Sequence, residues 1–470
     1  MNPHRRKCWN SPKNLGQRSG AGWFWLLLFL GLGFSPLRAE ATPPFGLPAH
    51  RGTPAYLAMP EQAKGFIPKR LSETGAFSRT TTLTTAPGLI PYELNVPFWS
   101  DGAAKTRWVA VPEYASEVGP RIGFAATGTW TFPPGTVFIK HFEISLDETR
   151  PGVNRRLETR LLVCDRAGGV YGVVYKWRAD GTDADLLQTN LTESLVIRTA
   201  TGTRTQNWYY PNRADCQMCH TEKAGGVLGL KTSQLNGVMT YPGGISDNQL
   251  RAWNHAGLFT RVLSETELTG LPKLARGEDE SQSLEDRARS FLDANCAQCH
   301  RPEGTVANFD ARFEIPLARQ NLINARVLID EGVDGARVVA PNDIWRSILF
   351  LRAGSLEGMK MPPLAHETID TKSLTLLRRW IESLPGPPVL APPVLSPAGG
   401  DFRTPVMVTI TAREPEAIIH YTLDGSVPTK SDPVYRGPIS LATSTVVRAK
   451  AYQPGFTKSI TAQGIFIVGE

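Results

Sequence analysis

At 470 residues the chain is too long for one hydrophobic core, and at roughly 100–200 residues per domain it divides into about three. A content of 41% hydrophobic and 20% charged residues is that of a globular protein, and 37 Pro with 43 Gly favour strands and turns over long helices. The formal charge of +7 does not mark a nucleic-acid binder: six of the 51 basic residues and one of the 44 acidic residues fall in the first 41 positions, leaving 45 against 43 in the remainder, too even a balance to track a phosphate backbone.

Residues 1–41 read as a secretory signal: a basic start (Arg5, Arg6, Lys7), an apolar run from Trp23 to Phe34, and the small-x-small site Ala39-Glu40-Ala41. That run is shorter than the ~20 residues a bilayer span requires. The mature chain is therefore expected in the periplasm or outside the cell, with no transmembrane span after processing. Residues 42–207 carry β-branched and aromatic runs, including Thr136–Glu143, Arg156–Val163 and Val170–Trp177, separated by Gly- and Asp-rich turns. They predict an antiparallel β domain. Residues 208–279 hold a first Cys-rich motif and one predicted helix, with Ser246 and Gln249 as a capping box ahead of Leu250, Trp253, Gly257 and Leu258. In residues 280–385, Leu284, Ala288, Phe291 and Leu292 predict an amphipathic helix running into Cys296. Leu374, Leu377, Ile381 and Leu384 predict a second, stopped by Pro385-Gly386. The unit is expected to be all-α. Residues 386–396 form a stiff Pro-rich linker, and residues 397–470 alternate as short strands around Asp424-Gly425, as in a β-sandwich. The expected fold class is thus multidomain α+β: an N-terminal antiparallel β domain, an all-α unit and a C-terminal β-sandwich.

Six cysteines occur; Cys8 lies in the signal, Cys164 stands alone, and four form two CxxCH motifs, Cys216-Gln-Met-Cys219-His220 and Cys296-Ala-Gln-Cys299-His300. Two thiols three residues apart suit thioether bonds to the vinyl groups of a haem, and the following His then falls beneath the iron. With 6 Cys and 8 His in 470 residues, one such match arises by accident in about one chain in a thousand. The expected cofactors are two covalently bound haem c groups, held by Cys216, Cys219 and His220 and by Cys296, Cys299 and His300. The competing reading, a four-thiolate zinc site, leaves both histidines unexplained. For a sixth ligand on the iron at His300, Met361 of Gly358-Met-Lys-Met-Pro-Pro363 is preferred to Met359, a thioether that raises the potential. For the iron at His220 the candidates are His141, Met239 and His255, or an open position; His141 is the one taken forward as a metal ligand.

Several stretches together resemble an uncharacterised family of exported bacterial dihaem c-type cytochromes. They are Pro91-Tyr-Glu-Leu-Asn-Val-Pro-Phe-Trp-Ser-Asp-Gly102, Phe132-Pro-Pro-Gly-Thr-Val-Phe-Ile-Lys140, Leu157-Glu-Thr-Arg-Leu-Leu-Val163, Asp215-Cys-Gln-Met-Cys-His220 and Gly226-Val-Leu-Gly-Leu230. The resemblance spans roughly residues 65–385 and implies haem binding and electron transfer. Residues 282–385 resemble a class I cytochrome c domain, in which His300 and Met361 match the two axial ligands. The tail, with Ser396-Pro-Ala-Gly-Gly400, His420-Tyr-Thr-Leu-Asp-Gly-Ser426 and Val446-Val-Arg-Ala-Lys-Ala451, is similar to the immunoglobulin-like C-terminal domain of chitobiase-type glycoside hydrolases. It implies a spacer or docking role, with polysaccharide or cell-surface contact.

The function these features predict is electron transfer between redox protein partners, with no nucleic acid and no catalytic residues assigned. The alternative is a dihaem oxidoreductase of the peroxidase or oxidase type using an open haem at His220. A structural or sugar-docking protein is the third class.

Overall fold

The computed structural model describes residues 43–50, 52–113, 121–150, 152–305 and 308–469; the predicted signal segment lies outside them. Its centre is a six-stranded antiparallel sheet in sequential order: β3 (Ile90–Pro91), β4 (Ala104–Ala110), β5 (Val137–Ser145), β6 (Asn154–Cys164), β7 (Val170–Trp177) and β8 (Ala184–Leu186). The central strands are largely buried because both faces are covered. Val137, Ile139, Leu161, Val163, Val173 and Tyr175 point to one core, closed by Met59, Leu71, Phe77 and Trp108. The small hairpin of β1 (Phe77–Arg79) and β2 (Thr84–Thr85) belongs to that side. Phe138 and Leu162 face the other way, toward a core built on Trp130, Leu250, Trp253 and Phe259. A long hairpin, β9 (Leu191–Thr199) and β10 (Gly202–Tyr210), packs Leu195, Ile197, Trp208 and Tyr210 on Phe142, Ile144 and Leu157.

Residues 211–279 lie over the second face of the sheet. They comprise α1 (Arg213–Cys219), α2 (Thr232–Leu235), the short pair β11 (Val238–Thr240) and β12 (Ser246–Asn248), α3 (Gln249–His255) and α4 (Glu265–Thr269). The expected capping box at Ser246 is not formed. Ser246 pairs with Thr240 in β12, and Asn248 becomes the N-cap, its side chain accepting from the Leu250 N–H at 2.8 Å. The β pairing carries two residues further than the helical period suggests, and the cap moves with it.

The two helices expected on either side of the second motif are present as α5 (Leu284–Asn295) and α7 (Thr371–Ser383), with Ser283 and Asp370 as N-caps. Ala288, Leu292, Leu377, Trp380 and Ile381 join them in one core. The fold class is nevertheless corrected. Between these helices the described chain holds only one further α-helix, the six-residue α6 (Ile348–Ala353), and otherwise runs through turns and isolated bridges. Glu303, Asn321, Asn324, Glu331 and Asn342 take left-handed backbone conformations there, which no helix accommodates. Residues 280–385 are not an all-α cytochrome c domain, and the described molecule, with nineteen strands against seven α-helices, is mainly β.

The C-terminal domain is a sandwich of two sheets. One contains β13 (Val394–Ser396), β15 (Val406–Thr411) and β17 (Ile439–Leu441). The other orders β14 (Gly400–Phe402), β19 (Ala462–Val468), β18 (Thr445–Tyr452) and β16 (Ile418–Thr422). Val408, Ile410, Val447, Ala449 and Phe466 fill its core. The Pro-rich linker does not swing free: Thr457 donates to Pro388 O at 2.8 Å and accepts from the Leu390 N–H at 3.0 Å, and Leu390 is fully buried. The Lys450 ammonium, almost wholly buried, pairs with Asp334, which also accepts from Thr461 Oγ1 at 2.7 Å. Arg346 Nη2 donates to Lys458 O at 2.9 Å. No helix among the described residues is long and apolar enough to cross a membrane.

Removing Asp334 strands a buried ammonium, which costs far more than deleting both partners. Asp334→Ala is therefore expected to lose about 3 kcal/mol in urea unfolding, and Asp334→Ala with Lys450→Met to recover most of it. Equal losses in the two variants would contradict this account of the docking.

Candidate functional site

The first CxxCH segment is built on the end of β10. Asn212 caps α1, its side chain accepting from Ala214 and Asp215 N–H at 2.8 and 3.0 Å. Asp215 answers by accepting from the Asn212 N–H at 2.9 Å and from the Tyr209 hydroxyl at 2.7 Å. This reciprocal cap winds about two turns of helix, enough to put Cys216 and Cys219 on one side and to leave His220 at the C-cap. The helix lies close on β7, where Gly172 makes the approach feasible: a Cβ there would sit 2.9 Å from Cys216 Sγ.

His220 Nδ1 faces the Gly226 carbonyl at 2.7 Å. Against a carbonyl this nitrogen must donate, so Nε2 keeps its lone pair. Burial depresses the imidazole pKa to about 4, helped by Lys140 and Arg160. A neutral imidazole with one nitrogen tied to the backbone is the arrangement of a ligating histidine. His220, Cys216 and Cys219 line an open-mouthed cavity of about 240 Å³, just below the roughly 300–1,000 Å³ of ordinary ligand pockets. Phe138, Leu162, Val227 and Leu230 supply its apolar wall; Arg107, Lys140, Arg160 and Lys231 supply its charge.

The second motif sits beside the first. Cys299 Sγ lies 3.9 Å from Met218 O, and its thiol is hydrogen-bonded to that of Cys219. Arg301 Nη1 donates to Lys223 O at 3.0 Å, and Lys223 pairs with Glu303. The Cys219 contact pulls the Cys299 pKa down to about 7, whereas burial raises that of Cys296 to about 12. The His300 ring stacks on Phe309, centroids 4.4 Å apart and planes 15° from parallel, and its Nδ1 is buried without a partner. Met361 reaches this neighbourhood through Arg352: its N–H donates to Arg352 O at 3.0 Å, and the Arg352 charge joins burial in lowering His300 to about 4.

Two expectations are corrected here. His141 does not face the first motif. It is fully buried on the opposite face of β5, with Nδ1 2.8 Å from Thr159 Oγ1, Nε2 3.2 Å from Glu143 and its ring edge-on to Trp177. The period of two that turns Lys140 toward the cavity turns His141 away. Of the other candidates, Met239 is packed in the core and His255 lies edge-on to Phe45. The complement of two covalently bound haem c irons is also corrected. Among the described residues no group of three or more His, Cys, Asp or Glu could hold a metal ion. Moreover, Cys296, Cys299, His300 and Met361 do not line the cavity at Cys216–His220; Cys299 is turned against Cys219 and a face of His300 is covered by Phe309.

Residues absent from the sequence reading now stand in the site. Arg107 and Arg160 line the cavity with Lys140. Asp101, within Pro91–Gly102, accepts from Glu367 and Thr368 N–H at 2.7 and 2.9 Å and so pins the loop after Met361. Lys105, half-buried, donates to Phe98 O at 2.8 Å. The only available signal was that Asp101, Lys140 and Arg160 fall inside three of the quoted stretches.

A family model described as the chitobiase/beta-hexosaminidase C-terminal domain matches residues 397–463, and the C-terminal sandwich is of that type. No curated protein and no solved structure matches the chain.

Burial, with Arg107 and Arg160 nearby, lowers the Lys105 pKa from 10.5 to about 7. The folded state gives up this proton before the unfolded state does, so stability rises with pH across that window. Between pH 7 and 9 the gain is expected to reach up to about 2 kcal/mol, and Lys105→Met is expected to flatten the slope; an unchanged slope would refute it. In protein made without haem-attachment machinery, mild oxidation should join Cys219 to Cys299, visible as a cross-linked peptide by mass spectrometry. A Cys216–Cys219 bond in its place would contradict the pairing of the two segments.

Proposed function

We propose that this chain is an exported electron-transfer protein of the c-type cytochrome kind, with its redox centre at Cys216–His220. The observation that carries the reading is the half-buried, neutral His220, its Nδ1 committed to Gly226 O, standing with two thiols on the wall of a mostly apolar cavity. A redox group clamped there would supply the one-electron chemistry. The chain's own residues do the rest: α1 holds the two thiols one turn apart, Gly226 orients the imidazole, and the apolar wall keeps water from the centre and so sets its potential. Electrons would pass to and from other redox proteins. The chitobiase-type domain fits contact with polysaccharide or a cell surface, and it lies against residues 334–346 and 386–390 through contacts that do not involve Cys216–His220.

The test is expression of the full chain with and without c-type maturation machinery, followed by intact mass, visible spectrum and protein-film voltammetry. A coloured product with a reversible wave is expected only with maturation. The wave should be lost in Cys216→Ser with Cys219→Ser, shifted in His220→Ala, and unchanged when residues 394–470 are removed. A colourless chain with no wave would overturn the reading, and rapid turnover of peroxide would move it to the oxidoreductase alternative.

A further inference from the structure

A second cavity, of about 800 Å³, opens between the segment Leu94–Ala103, the turn at Arg276–Glu278, and helices α5 and α7. It has the size of an ordinary ligand site. None of the CxxCH residues lines it, nor does Met361, and it shares only Leu94 and Phe98 with the cavity beside the first motif. Its walls are tied to one another. Asn295 of α5 accepts from the Trp99 N–H at 2.8 Å, and Trp99 Nε1 donates to Thr368 O, just before α7, at 3.0 Å. The groove is thus held open without a ligand, and Val96, Phe98, Trp99, Phe291 and Leu376 make one side of it apolar.

The other side is cationic. Arg276, Arg287, Lys372 and Arg379 line it with Lys105, against Glu278 and Asp370. Most of these charges are already engaged. Asp370 caps α7, accepting from the Ser373 N–H and Oγ at 3.1 and 2.5 Å; Arg379 has Glu280 at 3.5 Å; Lys105 donates to Phe98 O. Arg287 differs. It is 6% exposed and spends only its Nε, on Gly277 O at 2.8 Å. Asp279, whose carboxyl is held low chiefly by Ser281, senses the Arg287 charge but forms no ion pair with it. The two terminal nitrogens of Arg287 have no hydrogen-bond or ion-pair partner among the described residues. A guanidinium so far removed from water is costly unless an anion answers it. With Nε taken, its end still offers the two-pronged donor edge that fits a carboxylate.

We propose that this groove binds an organic acid, its carboxylate seated on Arg287 and its apolar body against Phe98, Trp99 and Phe291, with the exposed Arg276 and Lys372 as outer cations. The site goes beyond the redox reading of Cys216–His220 and does not depend on it.

Calorimetric titration of the full-length chain tests this with three probes: 2-naphthoate, its uncharged match 2-naphthalenemethanol, and inorganic phosphate as an anion without a body. Naphthoate is expected to bind at least about tenfold tighter than the alcohol, and phosphate more weakly than naphthoate. Arg287→Gln should erase the preference for acid over alcohol, and Arg287→Lys, which keeps the charge without the fork, should retain part of it. Arg287 also holds Gly277, so the melting temperature of each variant is recorded. Lys372→Gln, on the exposed rim, is expected to weaken naphthoate by about threefold with the fold intact, and carries the test should Arg287→Gln not fold. Failure of naphthoate to bind, equal affinity for acid and alcohol, or undiminished naphthoate affinity in a folded Arg287→Gln would each overturn the proposal. Phosphate binding as tightly as naphthoate would also overturn it, since the apolar side would then contribute nothing. The redox wave of Cys216–His220 is scored separately, so either reading can fail alone.

Discussion

The approach of α1 to β7 governs the candidate site. Cys216 can lie in the cavity wall because position 172, directly beneath it, has no side chain; a single methyl group there would press on the sulfur at 2.9 Å. From that contact the rest follows in order. The capped helix fixes the spacing of the two thiols, its C-cap places His220, and Gly226 chooses which imidazole nitrogen keeps a lone pair. A helix held slightly farther from the sheet would leave each of these residues present and none of them in register with the cavity.

The sheet beneath the helix serves two incompatible tasks at once. One face is an ordinary core around Ile139, Leu161 and Val173. The other carries Arg107, Lys140 and Arg160 side by side in the wall of an open cavity. Such a row weakens the ligand-free fold, and proteins keep destabilising features mainly where a site needs them. Desolvation keeps His220 uncharged, and Lys140 and Arg160 add to it by disfavouring a further proton nearby. Charge, tautomer and cavity are therefore one arrangement.

The C-terminal domain is bound to the rest by a few buried polar contacts in place of a broad apolar face. Lys450 and Asp334, Arg346 and Lys458, and the pairing of Thr457 with residues 388 and 390 hold it. Each is strong only while both partners are present. A linker rich in proline was expected to be stiff; the backbone groups that proline leaves available at residues 388 and 390 are taken up by Thr457.

The sequence alone determined the local features. The three strands β5, β6 and β7, the helices α5 and α7, the two CxxCH spacings and the type of the C-terminal domain are all properties of neighbouring residues, and periodicity or motif reports such properties directly. The tertiary structure decided what needed distant partners. Nothing local distinguishes His141 from Lys140 as the residue facing the site, because β5 is covered on both faces and its apolar pattern does not alternate. Nothing local aligns Arg107, Lys140 and Arg160, which strand register brings together from three separate segments. The turns between α5 and α6 replaced an expected all-α domain because their course depends on left-handed residues such as Asn321 and Asn324, and these carry no period to read. Covalent spacing is written along the chain, whereas opposition across a sheet exists only once the strands have paired.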